Sequence, residues 1–245
     1  MTAFYFLSNF PDKLQLMKRL FILLGILMTG LISLSQNLSR VTMTQTGELE
    51  KLGFGLKENV ILNVSKDGRV MDWGIDRYAG RGFETKPGLL DPYGGRVEYY
   101  NESENEAFRG KVRSIGGINI TYYASFDREE WAGKVKSIGP NKFEYYLNTD
   151  NEAFRGLMKK TGTQNLVWYS TYDNDAFKGK IKSIGSTPIS FYSSFEDEGF
   201  RGKLKGIGSA QYIYHSSHDL RDVRGRLKSG QMLQVINGVK YHVKF

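Results

Sequence analysis

This 245-residue chain predicts an all-β fold: six 23-residue two-stranded antiparallel hairpins forming an extended twisted sheet, with hairpin-like caps. Three observations carry that expectation. Glycines fall at 110, 133, 156, 179, 202 and 225, each 23 residues from the last. Aromatic and β-branched residues fill two short runs in every interval, as in strands. Between the runs the chain is rich in Asn, Asp and Ser, as in loops. Self-similarity at a fixed period of this length means stacked copies of one supersecondary unit. The architectural alternative is a β-propeller or closed barrel, although six units pair into only three blades, below the usual four.

The N-terminal segment sets the expected compartment. Met17-Lys18-Arg19, the apolar run Leu20 to Ile32 and the small residues Ser33-Leu34-Ser35 follow the plan of a secretory signal peptide. The expected organisation is an upstream extension from a misassigned start over 1–16, a signal peptide over 17–35, an N-terminal cap with a degenerate repeat over 36–96, six repeats over 97–234 and a capping strand over 235–245. Cleavage after Ser35 would give a secreted, periplasmic or cell-surface protein, with no membrane insertion of the mature chain. The chain has no cysteine, which excludes disulfides and thiol chemistry. Without Asp12, Lys13, Lys18 and Arg19 the remainder carries 31 basic and 25 acidic residues, a net charge of +6.

Numbering each copy from 1 to 23, with copies starting at Val97, Ile120, Phe143, Leu166, Ile189 and Tyr212, sorts the residues by role. Position 3 is always aromatic. Position 4 is Tyr100, Tyr123, Tyr146, Tyr169 and Tyr192, then His215. Position 8 is always acidic, and position 17 is always basic: Arg113, Lys136, Lys159, Lys182, Lys205 and Lys228. Strands are predicted over positions 1–5 and 12–17, with position 3 opposite the glycine at 14. Side chains alternate along a strand. On that register 1, 3, 12 and 16 share an apolar face, and the aromatic covers the glycine. Positions 2, 4, 13, 15 and 17 then form an opposite face of tyrosines among lysines and arginines, with position 4 in cation–π range of position 13. The flanks read as caps. Val60–Trp73 is a hairpin around Asp67-Gly68, and Met232–Phe245 is a hairpin around Asn237-Gly238.

The runs "FRGKVRSIG" (Phe108–Gly116) and "FRGKLKGIG" (Phe200–Gly208) resemble the Y-x-G-x-W/F-x-x-G opening of MORN repeats, which are also 23 residues long. The resemblance covers residues 97–234. The usual second-strand G-x-G is replaced by the Tyr-Tyr pair. What the resemblance implies is an array of antiparallel hairpins.

Catalysis finds little support. His215-x-x-His218-Asp219 lacks the third or fourth ligand of a zinc site. The carboxylate pair Asp173/Asp175 recurs in nearly every copy, whereas an active site is built once. Asp173, Asn174 and Asp175 present hard oxygen ligands for calcium, but no glycine-bearing D-x-D-x-D-G loop accompanies them. No cofactor motif is present. The expected function is a non-enzymatic, monomeric binding module that meets an extended glycan or protein through Tyr100, Tyr123, Tyr146, Tyr169, Tyr192, Arg113, Lys136, Lys159, Lys182 and Lys205. Secretion argues against nucleic acid as the partner. The alternative is a structural or spacer protein of the cell surface with no specific ligand.

Overall fold

The computed structural model describes residues 37–76 and 88–245, which lie within one compact unit, Gln36–Phe245. The predicted signal peptide and upstream extension fall outside the described residues. The fold is all-β and does not close into a barrel.

Eleven strands form one antiparallel sheet in strict sequence order: β5 (Val97–Tyr99), β6 (Val112–Ile115), β7 (Ile118–Tyr122), β8 (Val135–Ile138), β9 (Asn141–Tyr145), β10 (Met158–Thr161), β11 (Gln164–Trp168), β12 (Ile181–Ile184), β13 (Thr187–Phe191), β14 (Leu204–Ile207) and β15 (Ala210–Gln211). A separate pair, β16 (Ile213–Tyr214) and β17 (Leu227–Ser229), completes the sixth copy.

The strands run over positions 22 to 3 and 16 to 19, not 1–5 and 12–17. Tyr122 pairs with Val135, Thr121 with Ser137 and Ile120 with Ile138. Position 3 therefore faces 16, not 14. Lys136, skipped between Val135 and Ser137, marks a β-bulge that recurs in all six copies. The bulge reverses the alternation, so positions 16 and 19 both point inward. Ile120, Tyr122, Val135 and Ile138 are all buried.

The glycine at 14 lies outside the ladder. It sits in a turn with φ between +68° and +75° in all six copies, a conformation that costs other L-residues about 1–2 kcal/mol. A Cβ on Gly133 would come within 2.7 Å of the Ala107 carbonyl oxygen of the preceding copy. Backbone conformation and close approach of the neighbouring copy fix this glycine, not coverage by the aromatic.

The flanks form a second sheet. The β1 (Leu38–Thr44), β2 (Leu49–Gly55), β3 (Val60–Val64) and β4 (Val70–Ile75) strands join the C-terminal hairpin of β18 (Leu233–Ile236) and β19 (Val239–Lys244) in one six-stranded sheet, with β19 parallel to β1. Both predicted hairpins are present, and Asn237 and Gly238 have the positive φ that a tight two-residue turn needs. This sheet shares a single core with the array. Phe54 meets Phe143 edge-on with ring centroids 5.0 Å apart. Two of its turns bond into the array: Gly68 O accepts from Val135 N (2.9 Å), Lys66 O from Met158 N (2.8 Å) and Gln45 O from Leu204 N (2.7 Å). The layer covers the apolar face that a one-layer array would leave wet.

Candidate functional site

Between its two strands each copy makes a long loop over positions 4 to 15. The loop is closed by backbone bonds such as Tyr123 N to Lys134 O (2.9 Å) and Gly133 N to Tyr123 O (2.8 Å). The loops line up along one edge of the array. Strands joined by the two-residue turns pair over only two residues, as in Ser114–Asn119 and Ile115–Ile118. Toward the loop edge, side chains fill the seam between copies instead.

The position-4 tyrosines belong to this seam. Each is half-buried, and each hydroxyl donates to the carbonyl of position 1 in the next copy: Tyr100 to Ile120 (3.0 Å), Tyr123 to Phe143 (2.7 Å), Tyr146 to Leu166 (3.2 Å), Tyr169 to Ile189 (3.1 Å) and Tyr192 to Tyr212 (2.9 Å). Each ring packs on the position-12 aromatic, as Tyr169 does on Phe177 at 4.5 Å. The cation over the ring comes from position 17, not 13: Arg113 over Tyr100, Lys136 over Tyr123, Lys159 over Tyr146, Lys182 over Tyr169 and Lys205 over Tyr192, at 5.0–5.6 Å. Burial pushes all five tyrosine pKa values up. The predicted residues are therefore brought together, as rungs with one ring face under a cation and the hydroxyl already bonded, and not as a free stacking surface.

The acids at position 8 organise the loop. Asp173 accepts from Ser170 N (2.6 Å) and Ser170 Oγ (2.8 Å) and pairs with Lys182 (3.4 Å). These bonds, the backbone one first, hold its pKa below the usual carboxylate range. Asn174 staples adjacent loops: its Oδ1 accepts from Ala176 N and Ser194 N, and its Nδ2 donates to Ser194 Oγ, all at 3.0 Å. Asn105 and Asn151 repeat the motif. Asp173 and Asn174, offered above as calcium ligands, thus have their oxygens engaged within the protein, and Asp175 stands exposed on the loop. His215 and His218 face different carboxylates, Asp219 at 3.2 Å and Asp197 at 3.4 Å. Among the described residues no three His, Asp or Glu side chains cluster as metal ligands.

One series leaves its predicted place on the open basic face, and a second escaped the sequence reading. Position 15 carries half-buried Lys111, Lys134, Lys180 and Lys203. Each lies over the position-3 ring of the next copy at 5.0–5.2 Å and donates to that copy's glycine-14 carbonyl. Desolvation holds all four below the usual lysine pKa. Leu157 in copy three and Arg226 in copy six interrupt this lysine series. The second series is position 7, where Phe126, Tyr172 and Phe195 stand 82%, 92% and 91% exposed at the loop tips. Ser103 and Thr149 break that row. Beside Tyr172 an open cleft of about 430 Å3 is lined by Thr149, Asp150, Asn151, Glu152, Arg155 and Thr171.

Set against protein-family models, curated proteins and solved structures, the chain matches none. Among the described residues no helix is long and apolar enough to cross a membrane.

Proposed function

We propose that the chain is a secreted, non-enzymatic β-repeat scaffold that binds an extended glycan along its loop edge. The observation that supports it is the exposure of Phe126, Tyr172 and Phe195 at one position of the repeat. A single exposed aromatic is ordinary on a protein surface, but a row of them marks an interaction site. Two strands per copy space successive loop tips about 10 Å apart, close to the length of a disaccharide. The cleft beside Tyr172 adds the Glu152 carboxylate, the Thr149 hydroxyl and the Arg155 guanidinium next to a flat ring, a mix that orients a sugar. This reading moves the ligand from the position-4 tyrosines to position 7. The position-17 cations flank the loops and would add a salt-sensitive part.

The other reading is a structural protein with no ligand. It is favoured by one observation: the position-4 tyrosines and the asparagine staples spend their polar groups inside the array. Binding to a panel of neutral and acidic glycans, comparing the native chain with Phe126→Ser/Tyr172→Ser/Phe195→Ser, separates the two. Loss of binding in a folded triple variant supports the loop-edge reading. Binding by neither protein favours the structural one, and equal binding by both removes position 7 as the ligand site.

A further inference from the structure

Among the described residues, β18 is the one strand at the end of a sheet with no built-in protection against pairing. Edge strands are ordinarily kept from pairing by shortness, charge, proline or a bulge. β4, β5 and β17 each carry a charge, at Asp72, Glu98 and Lys228, and β15 and β16 are two residues long. β18 reads Leu-Gln-Val-Ile and runs against β19 with no shift of register. Its Val235 stands 64% exposed.

The hairpin fixes where the backbone groups of β18 point. Val243 N donates to Met232 O (2.8 Å), and along an antiparallel pair every second residue faces the neighbouring strand in this way. Met232, Gln234 and Ile236 therefore turn their backbone groups to β19, and Leu233 and Val235 turn theirs to the outer side. A cleft of about 600 Å3 lies beside the strand, lined by Val235, Ile236, Gln211, Gln231, Gln234 and small residues, none of them charged.

Such an edge is its own complement. When two β18 strands run antiparallel about a twofold axis, Leu233 exchanges both backbone bonds with Val235 of the second copy, and Val235 with its Leu233. Gln234 then meets its own counterpart on the axis. A charge at that place would repel itself, whereas a primary amide supplies both donor and acceptor. One N–H of Gln234 already meets Gln231 Oε1 (3.2 Å), which leaves its carbonyl oxygen and a second N–H.

We propose that β18 is a homodimer edge, which pairs antiparallel with β18 of a second copy and joins two six-stranded sheets into one. This replaces the monomer expected from the sequence.

Sedimentation velocity of the full chain over a concentration series should show a reversible monomer–dimer equilibrium. Val235→Pro removes an outward N–H and leaves the bonds to β19 in place, since an edge strand tolerates proline. It should weaken the dimer about tenfold or more, as the loss of one bond from each copy implies. Val235→Lys, which places a charge on an exposed edge, should do the same and serves if the proline variant fails to fold. Register has a separate test, because the chain has no cysteine. Gln234 and its counterpart would form a non-hydrogen-bonded pair with Cα atoms about 4.5 Å apart, within disulfide reach. Under mild oxidation Gln234→Cys should crosslink into a dimer at least tenfold faster than Tyr172→Cys, at an exposed loop tip. A native chain that stays monomeric would overturn the proposal and leave the edge to a strand of another protein. A dimer unmoved by the Val235 variants, or equal crosslinking by the two cysteine variants, would overturn it as well. None of these outcomes depends on a glycan at position 7.

Discussion

The hydroxyl of Tyr123 donates to the carbonyl of Phe143, 2.7 Å away in the next copy. The same bond in five consecutive copies makes the position-4 tyrosine a rung between hairpins that share few backbone bonds on this side. Tyr146→Phe keeps the ring between Lys159 and Phe154 and removes only the bond to Leu166. It should destabilise the fold by about 0.5–1.5 kcal/mol, the net worth of one such hydrogen bond, measured as a shift in urea midpoint with an unchanged slope. No shift would mean that the rung contributes nothing.

The glycine ladder separates two costs. Gly110 and Gly133 share the left-handed conformation, with φ of +72° and +75°. Only Gly133 has a carbonyl of the preceding copy against its Cβ position. Gly110→Ala should therefore cost about 1–2 kcal/mol from backbone strain alone. Gly133→Ala should add about 1–3 kcal/mol of overpacking. Equal denaturation midpoints for the two would remove the steric part of the explanation.

What the sequence made legible, and what it did not, follows from range. The 23-residue period, the all-β class and both flanking hairpins depend on local chemistry, such as Asn237-Gly238 at a turn. The register depended on where the strands end. The loop over positions 4 to 15 holds 3 opposite 16, and the extra residue at Lys136, which no pattern of alternation reveals, then sets 1 opposite 19. The six-stranded layer rests on β1 pairing parallel with β19, some 200 residues apart in sequence, and no local signal encodes that contact. The strictness of Tyr at position 4 made it look like a ligand site, whereas its regularity comes from a bond needed once per copy. The exposed row at position 7 is irregular, with Ser103 and Thr149 in place of rings, and the periodic reading passed over it.

Acid should loosen the loops before the core. Asp127, Asp173 and Asp219 are held below the ordinary carboxylate value, in each case chiefly by a backbone N–H at position 5. Asp197, against a desolvation effect of opposite sign, is drawn to about 2 by the side chain and backbone of Ser217, with Gly199 and His218 adding to the pull. A lowered folded-state pKa contributes stability that is present above the unfolded value near 3.8 and is lost as pH falls through the folded value. Melting temperature should accordingly be flat from pH 7 to about 5 and fall between about 4 and 2. In Asp173→Asn that fall should be shallower. An identical acid profile for the variant would show that the position-8 carboxylates are not linked to folding.

Tyr169 and Tyr172 lie three residues apart and make opposite predictions. Tyr169 is half-buried against Phe177, under Lys182 and bonded to Ile189. Tyr172 is 92% exposed. Tyr169→Ala opens a cavity in the seam and orphans a carbonyl, so it should cost about 2–4 kcal/mol. Tyr172→Ala should fall within about 0.5 kcal/mol of the native chain, as surface changes do. Binding should show the reverse. At a temperature where both variants are folded, Tyr172→Ala should weaken a glycan identified by the panel about tenfold, roughly the worth of one stacked ring at a binding surface, while Tyr169→Ala should leave its affinity close to native. Isothermal titration alongside urea denaturation reads both effects on the same samples. If Tyr169→Ala abolishes binding and barely affects stability, the ligand sits on the position-4 tyrosines after all, and the loop-edge assignment falls.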